Sequence, residues 1–262
     1  MQAEASTSEF SLTVSRALQL LSSFSTGTPN LGLTEISQRL GISKAAVSRL
    51  LQALEMHRFV EQNQQTRKYR VGAEAFRVGN LFGPQHDIKE AADYLMKMLV
   101  AKTGFTSYIS VLSQDCMVLT YAVEGTGPIR YSLPVGAQIA LHASATGKAA
   151  LAALTDQQVL AILSRTGMKE WTPRTATYPG LLLADIEKVR ACGYAINWEE
   201  LTMGVGSVAA AILGVNKELL AVISIGFATS QVTREDMPQL GERVLDKARE
   251  ISNRLANFES AS

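Results

Sequence analysis

Polar and basic side chains share one side of a helical pattern at residues 43–54. The side chain of Ser43 can cap the free backbone N–H groups of the first turn. Small, polar and basic residues on an exposed helix face suit the DNA major groove, where base edges present distinct donors and acceptors. We therefore predict that this face contacts DNA through Ser43, Lys44, Ala45, Ser48 and Arg49.

The opposite face of the same helix is apolar at helical spacing, at Val47, Leu50, Leu51 and Leu54. A shorter helix is predicted to precede it, capped by Thr34, with Gly41 at the sharp turn between the two. This layout is typical of a helix-turn-helix DNA reader. Any two amphipathic helices joined at a glycine give a similar pattern. At this point the alternative that the two helices have only a structural role therefore remains open.

Three cations follow in a hairpin pattern. A polar turn at 61–65 separates two extended segments, and the second of these, 67–71, carries Arg67, Lys68 and Arg70. A solvated edge strand would explain the charges but not their position after a reading helix. The pattern favours the wing of a winged helix-turn-helix, whose basic flank neutralises DNA phosphates.

Charge is unevenly divided along the chain. Residues 1–70 carry 8 Lys and Arg against 5 Asp and Glu, a net charge of +3, whereas the whole chain has +1. The basic excess is therefore local to the proposed DNA reader. A pI near 7.8 excludes a strongly basic, nonspecific nucleic-acid binder.

Length and composition set the remaining limits. A chain of 262 residues with 47% hydrophobic residues predicts two packed domains. We expect a cytoplasmic protein without a membrane partner, because no apolar run approaches about 18 residues and the first residues are polar. Cys116 and Cys192 lie outside any CxxC pattern and are expected to be reduced. No pattern indicates a metal or a cofactor.

Beyond residue 72 the pattern predicts an α+β domain, since antiparallel strands and helices follow one another without regular βαβ alternation. Helices are predicted at 73–82, 87–103, 144–154, 181–191 and 234–257, with another opened by a capping box at Thr155. A stop signal at Gly83 and Pro84 ends the first of these. Strands are predicted at 105–112, 117–123, 129–133, 194–197, 207–213 and 220–227.

One predicted helix begins with small residues that leave its first N–H groups reachable. Ser144, Ala145 and Thr146 occupy this start, which favours a carboxylate because a helix N-terminus binds anions. The alternative is that small residues only permit close packing on a sheet. No catalytic residues are predicted: the P-loop pattern fails around Lys148, no GxSxG elbow occurs and the histidines are scattered.

Several separated blocks, in this order, resemble the IclR family of bacterial transcriptional regulators. They are residues 14–21, the helix-turn-helix through 50–54, then 69–72, 141–149, 193–195, 199–200, 204–205 and 209–211. The resemblance implies an N-terminal winged helix-turn-helix, a helical linker and a C-terminal GAF-like α/β domain that binds a small metabolite. It also implies homodimers that pair into tetramers and bind inverted-repeat operators on double-stranded DNA.

The resemblance further implies that the effector meets the positions of Asn197, Val205 and Ser207. Asn197 stands where an acidic residue is common, which favours an anionic ligand. Gly206 replaces a frequent arginine and leaves the limits of the pocket open. Trp198 could stack on an aromatic effector, but its position favours packing on the other side of its strand.

We therefore predict a DNA-binding transcriptional regulator, not an enzyme, controlled by a small organic acid that could be aromatic. The predicted domains are a winged helix-turn-helix at 1–72, a helical linker with the start of the sensor domain at 73–103, and an effector-binding domain at 104–262. The predicted effector contacts are Ser144, Ala145, Thr146, Asn197, Val205 and Ser207. Two alternatives remain, a second domain that only oligomerises and a small-molecule enzyme with a vestigial reader. Operator binding that changes with a metabolite would support the regulator. Operator binding that no metabolite changes would support the oligomerisation domain, and substrate turnover would support the enzyme.

Overall fold

The structure, a computed structural model, describes residues 11–25, 27–79, 81 and 85–259. The chain divides into two compact units, Met1–Gly83 (unit 1) and Pro84–Ser262 (unit 2). Helices and antiparallel strands are mixed in both, which confirms the α+β prediction. The predicted stop at Gly83 and Pro84 lies outside the described residues.

Unit 1 is a three-helix core with a two-stranded ribbon. Its elements are α1 (Leu12–Ser22), α2 (Leu33–Leu40), α3 (Lys44–Met56), β1 (Val60–Gln62), β2 (Tyr69–Val71) and α4 (Ala73–Gly79). The turn between α2 and α3 is made by Gly41, whose φ of 65° lies in the left-handed region that glycine adopts without strain. The Ser43 side chain accepts the Ala46 N–H at 3.3 Å and caps α3. The predicted helix-turn-helix is therefore confirmed.

One local prediction in unit 1 was wrong. Thr34 does not cap α2, because the helix already begins at Leu33, and the Gly32 N–H before it is bound by the Glu35 carboxylate at 2.5 Å. On α1, Val14 and Leu18 are 57% and 59% exposed, whereas Leu20 is buried. Helix α1 has apolar residues on more than one side, so its periodicity alone does not decide which side packs.

The described residues of unit 2 form one antiparallel sheet of six strands between two helical layers. In chain order its elements are α5 (Gln85–Thr103), β3 (Thr106–Ser113), β4 (Cys116–Val123), β5 (Gln138–Ile139), α6 (Ala145–Ala152), α7 (Asp156–Thr166), α8 (Pro179–Cys192), β6 (Ala195–Trp198), β7 (Val205–Leu213), β8 (Leu219–Ala228) and α9 (Met237–Glu259). Short 3₁₀ helices at Thr229–Gln231 and Arg234–Asp236 lead into α9. The strand order is β5-β4-β3-β8-β7-β6.

Side chains alternate between the two faces of this sheet, as a pleated strand requires. On β8, Ile223 and Ile225 pack in the core with α5 and α9, whereas Val222 packs on the other face with α6, α7 and α8. Beyond Val222, the second face presents Ser224 and then Gly226 instead of large apolar residues, and these two line a cavity. Small and polar residues on an otherwise apolar face thus leave the room for a site.

The predicted strand at 129–133 does not form. Residues 124–137 are an irregular segment between β4 and β5, and Tyr131 and Leu133 within it line the cavity. Pro128 and Pro134 flank residues 129–133 and have no N–H to donate to a strand ladder, which explains the difference. The predicted helical stretch at 73–103 corresponds to α4 in unit 1 and α5 in unit 2.

Three further features limit what the fold can do. Within the described ranges, no helix has both the length and the hydropathy to cross a membrane. The same residues contain no group of three or more His, Cys, Asp and Glu side chains that could hold a metal ion. Cys116 and Cys192 are free thiols.

Helix α6 lies close to the segment before it, and this contact generates a stability prediction. A Cβ at Gly147 would lie 2.1 Å from the Leu141 carbonyl oxygen, so Gly147→Ala forces the backbone apart. We expect a loss of about 1 to 3 kcal/mol in the free energy of unfolding. Both tryptophans lie in unit 2, so urea denaturation followed by their fluorescence reports on this unit.

The matched control is Gly180→Ala in α8. Its added Cβ meets only the ring of the exposed Tyr178, at 3.2 Å, and that ring can move away. The control should keep or slightly raise the midpoint of the unmodified protein, because alanine favours a helix more than glycine does. An unchanged midpoint in Gly147→Ala would contradict the close contact.

Candidate functional site

The outer face of α3 is exposed and basic. Ser43, Lys44, Ala45 and Arg49 are exposed, and Ser48 is half-buried. The opposite face of the helix is buried in the core of unit 1. Within the described part of the chain, neither Lys44 nor Arg49 has a hydrogen-bond or ion-pair partner. Their cationic groups are therefore available to an external acceptor such as a base edge or a phosphate.

The ribbon after α3 carries the three predicted wing cations on its exposed side. Arg70 pairs with Glu61 across the ribbon at 2.8 Å, and Lys68 pairs with Glu35 of α2 at 3.6 Å. Arg67 sits at the tip with a left-handed φ of 58° and has no side-chain partner among the described residues. The two ion pairs are solvent-exposed, so each is worth little and a phosphate can replace the carboxylate.

A cavity of about 40 Å³ lies in unit 2 between the sheet, the start of α6 and two connecting segments. This volume is the space open to the centre of a water-sized sphere, and by the same measure one water molecule needs about 10 to 15 Å³. The cavity therefore holds a few water molecules or a very small ligand. The cavity is lined by Tyr108, Leu119, Tyr131, Leu133, Ile139, Ser144, Thr146, Asn197, Leu201, Thr202, Val205, Ser207, Ser224, Ile225 and Gly226.

The first turn of α6 has backbone donors without partners. The N–H groups of Ala145 and Thr146 have no acceptor within the described ranges. Ser144 acts as the N-cap, because its Oγ accepts the Gly147 N–H at 3.0 Å and donates to the Ala140 carbonyl at 2.7 Å. Ser144 was predicted to contact the effector, but its only hydroxyl proton is already used, so it cannot also donate to a ligand. It shapes the turn instead.

Neutral side-chain donors surround the cavity. The hydroxyls of Thr146, Ser207 and Ser224 have no hydrogen-bond partner in the described part of the chain. Asn197 uses its Oδ1 to accept the Glu200 N–H at 2.9 Å, which leaves its NH₂ group. With the two backbone N–H groups of α6, these donors can bind an acceptor-rich group such as a carboxylate.

Two tyrosines complete the wall, and the sequence analysis missed both. Tyr108 donates its hydroxyl proton to the Tyr131 carbonyl at 2.6 Å and so ties the 124–137 segment to the sheet. Burial raises the pKa of both phenols, so they stay neutral at physiological pH. Ser224 was also missed, although the alternation of Ser and Gly with Ile along β8 signals a face that is not fully packed.

Gly206 and Trp198 lie away from the cavity. A Cβ at Gly206 would lie 2.3 Å from the Phe227 ring, on the opposite face of β7 from Val205 and Ser207. Gly206 is therefore not part of the cavity wall. Trp198 follows Asn197 on β6 and packs towards the opposite core, with the Arg234 guanidinium 5.1 Å from its ring centre. It does not line the cavity.

A buried lysine next to the cavity was also missed. Lys148 is only 3% exposed, and its Nζ lies 2.7 Å from the Glu200 carboxylate and 3.1 Å from that of Asp185. Burial raises the pKa of Glu200. Burial acts in the same direction on Asp185, but Lys148 and Lys188 outweigh it and lower its pKa. The available signal was a lysine among the small apolar residues of α6.

The lining is suited to binding and not to acid–base chemistry. Among the described residues of the cavity wall there is no carboxylate, imidazole, amine or thiol. His142 is buried nearby, but its Nε2 lies 2.9 Å from the Lys169 carbonyl oxygen. Glu199 is bound by Arg174 at 3.0 Å. The cavity therefore offers hydrogen-bond donors without a nucleophile and base pair.

Comparisons with known proteins agree with both parts of this description. The family model described as bacterial transcriptional regulator IclR C-terminal matches residues 84–253, and the IclR helix-turn-helix domain matches residues 13–64. The HTH-type transcriptional regulator BhcR of Paracoccus denitrificans is 33% identical over 237 residues, 90% of this chain and 85% of that protein.

Two further matches cover nearly the whole chain. The transcriptional repressor IclR of Escherichia coli is 30% identical over 241 residues, which span 91% of this chain and 88% of that protein. The crystal structure of the Thermotoga maritima IclR matches with a TM-score of 0.75 at 25% identity and covers 93% of this chain and 98% of that one.

Arg49 gives a direct test of the α3 face. Arg49→Ala should weaken binding to an operator selected from a random DNA library by about 1 to 3 kcal/mol if the guanidinium contacts a base. Fluorescence anisotropy at fixed salt measures the change. Arg77→Ala is the control, since Arg77 is exposed on α4 and paired with Glu74. Equal affinities in both variants would exclude Arg49 from the interface.

The wing cations predict a change in salt dependence without a change in sequence preference. Each phosphate contact contributes about 0.9 to the slope of log affinity against log salt concentration, so Arg67→Gln with Lys68→Gln should lower the slope by about 1.8. Titrations at several salt concentrations measure this slope. A slope equal to that of the unmodified protein would mean that the ribbon does not touch DNA.

Proposed function

The chain belongs to the IclR family of bacterial transcriptional regulators, and we propose that a small organic acid bound in the cavity of unit 2 controls its binding to an operator. It is a DNA-binding regulator and not an enzyme, in line with the repressors among its relatives. The proposed DNA contacts are Ser43, Lys44, Ala45, Ser48, Arg49, Arg67, Lys68 and Arg70.

The observation that carries the proposal is the donor set of the cavity. Two backbone N–H groups, three hydroxyls and the Asn197 NH₂ face a space whose wall has no carboxylate among the described residues. A ligand with few acceptor atoms would leave several of these donors unpaired, which costs free energy in a buried site. A carboxylate offers up to four lone pairs and gains from the α6 dipole. Ala145, Thr146, Asn197, Val205 and Ser207 are the proposed contacts, with Ser144 as the cap.

The size of the cavity favours an aliphatic acid of two to four carbon atoms. About 40 Å³ accommodates only a few water molecules, and so a comparably small ligand. An aromatic acid is the second candidate, but Trp198 is turned away from the cavity and cannot stack on a ligand there. Binding of an aromatic acid would require displacement of the segment that carries Tyr131 and Leu133. A screen that contains both short aliphatic and aromatic acids distinguishes the two candidates.

We also propose that two or more copies assemble on an inverted-repeat operator. Leu12, Val14 and Leu18 on α1 and Phe76 on α4 are large apolar side chains that unit 1 leaves exposed. A second copy is a suitable cover for them, and a pair of units related by twofold symmetry matches half-sites one helical turn apart. The functional division into residues 1–72, 73–103 and 104–262 and a place in the cytoplasm belong to the same proposal.

A thermal-shift screen of organic acids on the full-length protein tests the function. At 100 times its dissociation constant, a ligand stabilises the native state by about 2.7 kcal/mol, which raises the melting temperature visibly. The acid that does so should also change the affinity for the operator. An affinity for the operator that no stabilising acid changes would instead favour a second unit that serves only assembly.

Substitutions in the cavity wall test whether the ligand binds there. Thr146→Val and Ser207→Ala each remove one donor and should weaken effector binding about tenfold, while operator binding without effector stays the same. Asn197→Asp should cost more, because it places a second anion in a desolvated site. Isothermal titration calorimetry measures the affinities.

The matched control is Ser164→Ala on α7, where the hydroxyl bonds only to the Ala161 carbonyl of its own helix. Its affinity for the effector should equal that of the unmodified protein. Unchanged affinity in all three cavity variants would remove the ligand from this cavity. A stabilising ligand without an anionic group would remove the carboxylate from the proposal.

A further inference from the structure

Lys148 connects the cavity to the structure behind it. It lies on α6 one turn after the free N–H groups, and its side chain is directed away from the cavity into the protein. There its Nζ contacts the Glu200 carboxylate at 2.7 Å, the Asp185 carboxylate at 3.1 Å and the Ile196 carbonyl at 3.5 Å. The same helix therefore presents donors to the cavity and a cation to the segment after β6.

Glu200 is the opposite end of this connection. Its side chain accepts from Lys148, its backbone N–H donates to Asn197 Oδ1 at 2.9 Å, and its carbonyl accepts the Thr175 hydroxyl at 2.6 Å. All three contacts are made by one residue that is 14% exposed. Glu200 is thus held by Lys148 through its side chain and by threonine hydroxyls through its carbonyl, and its N–H in turn binds the Asn197 amide.

The hydrogen bond also decides which end of the Asn197 amide faces the ligand. A backbone N–H is a donor, so the atom that it meets must be the carbonyl oxygen of the side chain. The NH₂ group is then left as the free end of a residue that lines the cavity. An amide turned the other way would present an acceptor and repel a carboxylate.

We propose that Lys148 and Glu200 are positioning residues of the ligand site: their buried ion pair holds the α6 donors against the Glu200 backbone and so keeps the Asn197 NH₂ directed into the cavity. The inference rests on the proposed function in one respect only, namely that the oriented NH₂ group binds a carboxylate. The orientation itself is a property of the ligand-free protein.

The energetics of the pair favour this role over a purely stabilising one. Removing two charges from water is costly, and apolar residues of similar size often stabilise a fold equally well or better. Burial also disfavours the charged form of Glu200. What an apolar pair could not provide is a directional contact that fixes the Glu200 backbone relative to the start of α6.

Nuclear magnetic resonance of the full-length protein, labelled with ¹⁵N on asparagine, tests the orientation without a ligand. The chain has seven asparagines, so at most seven side-chain NH₂ pairs occur, and Asn197→Asp identifies the pair of Asn197 by its loss. Lys148→Met and the milder Glu200→Gln should each shift or broaden that pair selectively. Lys188→Gln is the matched control, because Lys188 binds the other oxygen of Asp185 at 2.9 Å and is exposed. It should leave the pair in place.

Acetate and its neutral analogue acetamide serve as binding probes for the same proteins. The ratio of their affinities should fall about tenfold in Lys148→Met and Glu200→Gln and stay constant in Lys188→Gln. A general loss of stability would lower the melting temperature without changing this ratio. An unmoved Asn197 pair in both variants overturns the inference, and so does an unchanged ratio in a protein that binds acetate. A shifted pair in a protein that binds no acid supports the inference and contradicts the proposed function instead.

Discussion

The first turn of α6 is the constraint on which unit 2 depends. Backbone N–H groups at a helix start have no partner within the helix, and burial without a partner is costly. Ser144 caps the turn, and Gly147 allows it to approach Leu141 closely. Ala145 and Thr146 remain as unpaired donors beside a small cavity. Strands β6, β7 and β8 and the segment with Tyr131 cover this turn or bring further donors towards it.

The two units use charge in opposite ways. In unit 1 the cations of α3 and the ribbon are exposed, as a surface that meets a polyanion requires. In unit 2 the cavity has only neutral donors among its described residues, and the charges nearest to it are paired behind its wall, where Lys148 meets Glu200 and Asp185. A fixed array of dipoles can bind a small anion and release it again, whereas a buried unpaired cation would itself be costly.

The strand β6 illustrates how one element serves two surroundings. Asn197 faces the cavity, and the next residue, Trp198, faces the opposite core, because successive side chains on a strand point to opposite sides. The same alternation on β7 places Val205 and Ser207 at the cavity and Gly206 against Phe227. A change of one residue in register would exchange these environments, so the pairing of β6 with β7 sets the composition of the site.

The sequence by itself determined the local devices and the family. The Ser43 cap, the Gly41 turn and the Thr155 capping box were predictable because each depends on contacts a few residues apart. The α+β class and the helix-turn-helix followed from the order of such elements. Only the tertiary structure decided which side of α1 is buried, that 129–133 forms no strand, and that Tyr108, Tyr131 and Ser224 meet at one cavity. It also decided that Lys148 reaches Glu200, because residues 52 positions apart along the chain become neighbours only when the sheet and α6 pack together.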